Sequence, residues 1–186
     1  MRLTTTEAAL LGLLMRGERS GYDLRKQVER SVGYFWGPAK TQIYAVLPRL
    51  AELGYATRRE VVQPDRPDKQ LYRITKTGGL ALKQWLEHGP LEPVPEKNPI
   101  LLKLFFGDVA DPEALLEQVR ERRQSAEQLR TELDEIESAP GRSEEADFFP
   151  SLTRKWGYAY ADAFIRWADE VEDAIQTRSQ TRRRRR

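Results

Sequence analysis

Apolar residues at helical spacing are the main pattern along this chain. Between Pro38 and Leu53, the apolar residues that fall on one side of a helix are Ile43, Val46, Leu47, Leu50 and Leu53. The opposite side is polar or small, so it is free to contact another molecule. Gly54 follows at once, and glycine ends helices at little steric cost. The pattern predicts an amphipathic helix over residues 38–53.

Two shorter helical patterns precede this one. Thr4 and Glu7 have the spacing of a capping box, in which two residues satisfy each other's free N–H groups. Ser20 is the expected cap of the second helix, and Asp23 three residues later favours the positive helix end. Residues 31–37 hold three consecutive aromatic residues between glycines; they could form an exposed binding surface, and we favour a loop buried against the core.

A β-hairpin is predicted after the third helix. Residues 55–63 are rich in Val, Thr and Arg, residues 64–68 resemble a turn, and residues 69–74 alternate polar with apolar side chains. Thr75 can then cap a fourth helix. Short helices followed by a charged hairpin form the order of a winged helix-turn-helix.

The second half begins after four prolines in residues 89–99, which cannot sustain a helix. Residues 100–106 predict a short helix that is too apolar to stand exposed. Asp111 and Pro112 begin a long helix, whose apolar residues follow the a/d spacing of a coiled coil with one polar interruption at Arg122.

A later helical pattern places aromatic residues on one face, which indicates either a packed interface, our preference, or an aromatic cofactor pocket. One chain offers too few elements to cover both this stripe and the preceding seam, so we expect a second copy to cover them. The predicted dimer contacts are Leu115, Val119, Leu129, Leu133, Ile136, Phe164 and Val171.

Charge is unevenly distributed around the net value of +2. Residues 1–88 hold 15 basic and 9 acidic residues, residues 89–177 hold 10 and 20, and residues 178–186 hold six arginines and no acid. The first half is therefore the candidate polyanion binder, although charge alone leaves nucleic-acid binding and chance equally open. The arginine tail predicts disorder; whether it attracts phosphates or aids solubility stays open.

Several function classes find no support in the residues. Cys is absent, no secretion signal precedes the first helix, and no apolar run approaches the roughly 20 residues of a membrane span, so we expect a soluble cytoplasmic protein. His88 is the sole histidine, and no glycine-rich phosphate loop is present. We expect no catalytic residue, no metal site and no cofactor, hence no enzyme.

Four segments together resemble the PadR family of bacterial transcriptional regulators: TTTEAALLGLL with SGYDL, TQIYAVLPRLAELGYA, RPDKQLYRITKTG and NPILLKLFFGD. The resemblance implies a mainly α fold with a small β-hairpin wing: a winged helix-turn-helix plus a C-terminal antiparallel helical dimerisation domain. The expected domains are the DNA-binding domain 1–88, the linker 89–99, the dimerisation domain 100–177 and the disordered tail 178–186.

The resemblance also implies a homodimeric repressor that binds an inverted repeat in double-stranded DNA and is released by a small aromatic or apolar effector. The alternative is a winged helix that serves only as a protein-interaction module. Matching positions give seven candidate DNA contacts: Lys40, Thr41, Gln42, Tyr44 and Arg49 in the recognition helix, with Arg66 and Lys69 in the wing. For the effector, held between the domains or at the dimer centre, we expect Trp156, Tyr160, Trp167, Phe105 and Phe106.

Pro48 departs from the family pattern, in which a basic residue is common at this position. Inside a helix, proline removes one hydrogen bond and crowds the carbonyl of Tyr44, at a cost of about 3 kcal/mol. We expect a bend there, with Pro48 on the solvent or DNA side.

Overall fold

The computed structural model describes residues 3–62, 69–91, 97–140 and 143–184. The chain divides into two compact units, Met1–Pro93 and Val94–Arg186, called here the N-terminal and the C-terminal unit. Each unit is built from its own elements.

The N-terminal unit combines four helices with a small sheet. Its elements in chain order are α1 Thr5–Leu14, β1 Arg19–Ser20, α2 Gly21–Glu29, α3 Lys40–Glu52, β2 Ala56–Val61, β3 Lys69–Ile74 and α4 Lys76–His88. The strands lie in the order β1-β3-β2, and both pairings are antiparallel. The two paired strands of the predicted hairpin are confirmed, and its predicted turn at residues 64–68 lies outside the described residues. Strand β1 was not predicted, because two residues are too few to show an alternating pattern.

Local signals set the ends of these helices as predicted. The Thr4 hydroxyl accepts from the Glu7 N–H, and the Glu7 carboxylate accepts from the Thr4 N–H at 2.7 Å. Ser20 and Asp23 make the same reciprocal pair at the start of α2. Gly54, with φ of +71°, follows α3 in the left-handed region, where glycine carries no steric penalty. The predicted capping box of α1 and the predicted cap at Ser20 are therefore confirmed, whereas the reciprocal bond from Asp23 was not predicted.

A core of aliphatic side chains joins α1, α2 and α3. Seven of its members are fully buried: Leu10, Leu11, Leu14, Leu24, Ile43, Leu47 and Leu50. The three aromatic residues of the loop do not enter this core. Tyr34 and Trp36 are half-buried and Phe35 is exposed, and only the neighbouring Val32 packs against the core. Tyr34 and Phe35 instead meet edge to face. Our preference for a buried loop was wrong.

The C-terminal unit consists of α5 Pro99–Phe105, a 3₁₀ turn Gly107–Val109, α6 Pro112–Ser138 and α7 Glu144–Arg184. Asp111 caps α6 through the N–H groups of Glu113 and Ala114, which confirms the predicted start. Helix α7 continues to Arg184, so the predicted disorder from residue 178 is wrong. Arginine favours helix, and cations near a helix C-terminus are stabilised by the helix dipole.

Helices α6 and α7 form an antiparallel hairpin with one continuous register. Arg120 pairs with Glu172, and Arg130 pairs with Asp162. Ten residues forward on α6 therefore correspond to ten residues back on α7. Farther along, the Tyr158 hydroxyl donates to Asp134 at 2.8 Å.

The protomer itself covers much of the α6 seam. Leu115, Val119 and Leu133 are buried, and α7 presents the small buried residues Ala161 and Ala168. Assigning these three seam residues to a second copy was wrong, because α7 is 41 residues long and runs back along α6. The remaining predicted dimer contacts are only half-buried, namely Leu129, Ile136, Phe164 and Val171.

Helix α5 keeps most of its apolar surface exposed within one protomer. Ile100 is buried, whereas Leu102, Phe105 and Phe106 are 62%, 80% and 61% exposed. The expectation that this helix is too apolar to stand exposed therefore fails for the single chain, since α6 and α7 leave that side uncovered.

Candidate nucleic-acid interface

Helix α3 has one face in the core and one in solvent. Ile43, Leu47 and Leu50 are buried, whereas the four predicted reading residues are exposed: Lys40, Thr41, Gln42 and Tyr44. The core therefore holds the helix while its other face stays available. Lysine there can bind a phosphate oxygen and glutamine can hydrogen-bond an adenine edge. The threonine methyl can contact the methyl group of thymine.

The start of α3 is suited to an anion. Ala39 occupies the capping position, and among the described residues no side chain caps the helix and no acid lies in its first turn. The first N–H groups of a helix point outward at the positive end of its dipole. With Lys40 beside them, these N–H groups are chemically suited to stabilise a phosphate.

Helix α2 adds a basic and aromatic cluster that we did not predict. The Tyr44 ring lies so close to Gly21 that a Cβ atom there would approach it to 2.7 Å. Next to Gly21, the exposed Tyr22 ring has Lys26 Nζ at 4.7 Å and the Arg25 guanidinium at 5.4 Å from its centroid. A hydrogen bond with Lys26 lowers the pKa of Tyr22. Arg25 and Lys26 follow Tyr22 by three and four residues, which places all three on one side of a helix and could have predicted this cluster.

Arg49 lies on α3 but is engaged inside the unit. Its Nε atom is 3.2 Å from Oε1 of Glu7 in α1. The Glu7 side chain is only 2% exposed, compared with 53% for Arg49. The predicted phosphate contact is thus a cation beside a buried carboxylate.

Lys69, at the turn end of the wing strands, is engaged in a similar way. Its Nζ atom is 3.0 Å from Oδ2 of Asp23, the capping carboxylate of α2. Hydrogen bonding from Ser20, followed by that from Lys69, lowers the pKa of Asp23 to about 2. Arg59 of β2 is also paired, with Glu18. Arg66 lies outside the described residues.

Pro48 does not interrupt α3, which is continuous from Lys40 to Glu52. Its side chain is half-buried, so it does not stand fully on the solvent side as we expected. Because proline has no N–H group, the Tyr44 carbonyl loses its usual partner in the helix.

The predicted effector residues form a row of rings on α7. Trp156 stacks on Tyr160 with centroids 5.6 Å apart, and the row continues through Phe164 to Trp167. Arg122 lies 5.8 Å from the Phe164 centroid, and Trp156 is 56% exposed. On α5, Phe105 and Phe106 meet edge to face.

The N-terminal unit also has a cavity of about 550 Å³. Aromatic residues Tyr55 and Trp85 line it together with Leu3, Leu80 and other residues of α4. None of the predicted effector residues contributes to its lining. Sequence reasoning did not single out this cavity.

The described part of the chain has neither a cluster of metal-binding side chains nor a membrane-spanning helix. Within it, no three His, Cys, Asp or Glu side chains are grouped so that they could hold a metal ion. Among the same residues, no helix is both long enough and apolar enough to cross a membrane.

Two family models match this sequence. Residues 10–84 match the transcriptional regulator PadR-like family, and residues 96–176 match the family described as virulence activator alpha C-term. The chain is also 30% identical over 182 residues to the probable transcriptional regulator Rv1176c of Mycobacterium tuberculosis, covering 90% of this chain and 96% of that protein.

A second relative is the negative transcriptional regulator PadR of Bacillus subtilis, 37% identical over 100 residues, or 53% of this chain and about half (54%) of that protein's length. The crystal structure of B. subtilis PadR in complex with operator DNA matches with a TM-score of 0.78 and 26% identity, covering 92% of this chain and 99% of that one. Its complex with p-coumaric acid matches in fold, with a TM-score of 0.72 and 24% identity over 94% and 98% of the chains.

Proposed function

The chain belongs to the PadR-like family of transcriptional regulators, and on that premise we propose that it is a homodimeric repressor that binds an inverted repeat in double-stranded DNA. It acts in the cytoplasm by binding rather than by catalysis. Two recognition helices spaced by one turn of DNA, about 34 Å, would read the two half-sites.

The exposed face of α3 is the observation that carries this proposal. Lys40, Thr41, Gln42 and Tyr44 stand in solvent on a helix whose other face is fixed in the core. The uncapped start of α3 and the cluster around Tyr22 supply phosphate-binding groups on either side of Tyr44. The operator complex of the B. subtilis relative supports double-stranded DNA as the partner.

Salt-dependent binding to a labelled duplex from the region upstream of its own gene tests the proposal. We expect tight binding that weakens steeply with salt, because each neutralised phosphate releases counterions. Lys40→Ala should weaken binding and reduce the slope of log K against log salt by about one. Lys83→Ala, which removes an exposed lysine of α4, is the matched control and should leave the slope unchanged.

Equal, weak affinity for every duplex would contradict the repressor. The protein-interaction module would be favoured if the wild-type protein bound no DNA but bound a protein partner, and if Lys40→Ala bound that partner equally well.

The proposed effector is a planar aromatic molecule bound along the row from Trp156 to Trp167. The half-exposed rings offer flat apolar surface, and the p-coumaric acid complex of the B. subtilis relative supports this ligand class. Binding would change the spacing of the two recognition helices and so lower operator affinity.

Titration with p-coumaric acid tests this site. Quenching of tryptophan fluorescence should be reduced in Trp156→Phe and retained in Trp85→Phe, which removes a tryptophan of the other unit. A panel of aromatic acids that neither quenches fluorescence nor releases DNA would leave the effector proposal without support.

A further inference from the structure

Each of the capping carboxylates of α1 and α2 also contacts a cation of a later element. Glu7 closes the capping box of α1 and also faces Arg49 of α3. Asp23 closes the capping box of α2 and also faces Lys69 of the wing. Each of the two elements expected to contact DNA is thus joined, through a cation, to the start of an earlier helix.

The Glu7 pair is the buried one. Oε2 of Glu7 accepts from the Thr4 N–H at 2.7 Å and from the Thr4 hydroxyl at 2.9 Å. Oε1 is enclosed and makes no hydrogen bond within the described residues, although Arg49 Nε lies 3.2 Å away. The two atoms are close but are not aligned for a hydrogen bond, so charge attraction is their main interaction. Among the described residues, Arg49 is the cation that pairs with the Glu7 carboxylate.

We infer that Arg49 is a positioning residue that fixes the recognition helix against α1 through Glu7, and that it is not a phosphate contact. The inference rests on the proposed DNA binding only for the test by salt-dependent binding described below. Lys69 and Asp23 form the solvent-exposed counterpart at the wing.

The physical basis is the cost of a buried charge. A carboxylate enclosed by protein loses its hydration, and removing its cation leaves that loss uncompensated. Removing the carboxylate as well relieves the cost, because the remaining groups are neutral. The pair therefore predicts that a second substitution rescues the first, which an exposed phosphate-binding arginine does not predict.

A double-mutant cycle measured by urea unfolding without DNA tests the pair. Arg49→Met, which keeps much of the apolar stem, should lower the folding equilibrium constant at least about tenfold, and adding Glu7→Gln should recover most of that loss. Arg49→Lys keeps a cation and should stay near wild type. Lys83→Met, whose partner Glu87 is exposed, is the matched control and should change little.

Salt dependence of binding to the same upstream duplex gives the second readout. Arg49→Met should weaken binding while the slope of log K against log salt stays at the wild-type value. Lys40→Ala, by contrast, should reduce that slope by about one. If Arg49→Met does not fold, the Glu7→Gln, Arg49→Met double variant replaces it in this measurement.

Two results would overturn the inference: additive losses in the cycle, with no rescue by Glu7→Gln, or a salt slope reduced by about one in an Arg49 variant of unchanged stability. If the wild-type protein bound no DNA, the proposed function would fail, while the cycle would still decide whether Glu7 and Arg49 are coupled.

Discussion

The two units are stabilised in different ways. In the N-terminal unit, seven aliphatic side chains are fully buried between three helices, although Leu80 and Leu86 of α4 remain exposed. In the C-terminal unit, two long helices are joined by a narrow seam and by ion pairs along its edges. Large apolar side chains such as Leu102 and Phe105 remain in solvent there.

This difference assigns the proposed DNA contacts to one unit and the proposed dimerisation to the other. The N-terminal unit has a closed core, so its surface is free to carry DNA-contacting groups. The C-terminal unit exposes several large apolar side chains on α5 and α7, and exposed apolar surface of this kind marks an interaction site. A second copy is the proposed cover.

The largest effect is expected from a cavity in the N-terminal core. Leu50→Ala should lower the free energy of unfolding by about 2–5 kcal/mol, because Leu50 is fully buried beneath α3. Urea unfolding measures the change. Leu80→Ala, at a leucine that is 69% exposed, is the matched control and should stay within about 0.5 kcal/mol of wild type. Equal losses would remove the contrast between core and surface.

A smaller effect, visible in association rather than in unfolding, is expected on α5. Phe105→Ser with Phe106→Ser should raise the dimer dissociation constant at least about a hundredfold, since burying each ring is worth about 1.5–3 kcal/mol. Sedimentation equilibrium measures it. Leu86→Ser, equally exposed but on α4, should leave the constant unchanged. A wild-type chain that stays monomeric at all concentrations would break the comparison.

The smallest effect concerns Asp23 in acid. Its pKa is lowered from 3.8 to about 2 in the folded protein, so its contribution is present above about pH 4 and is lost as pH falls towards 2. Solvent screening of this partly exposed pair limits the contribution to about 1 kcal/mol or less. Urea midpoints between pH 5 and 2 should fall less in Asp23→Asn than in wild type. Parallel curves would contradict the shift.

Much of the fold could be predicted because its signals are local. Thr4 and Glu7 are three residues apart and form the expected capping box, and Ser20 caps α2 as expected. The solvent face of α3 also followed from the spacing of Ile43 and its neighbours. Those signals depend on the geometry of one helix, which the sequence contains.

Contacts between distant parts of the chain could not be predicted. Arg49 lies beside Glu7, and Lys69 lies beside Asp23, which residue type does not reveal; the DNA contacts predicted for both cations stay predictions. Likewise, the α6 seam was assigned to a second copy, because the length and return path of α7 could not be inferred from its aromatic spacing. The roles proposed for the reading and effector residues remain predictions.

The single register of the α6–α7 hairpin limits how a ligand signal could travel. Sliding one helix past the other by a turn would break the Arg120, Arg123 and Arg130 pairs at once, whereas tilting the hairpin as a whole keeps all three. A stiff lever of this kind converts a small rotation near the aromatic row into a larger displacement at its far end. A regulator built on it would therefore respond by tilting the whole hairpin rather than by sliding one helix along the other.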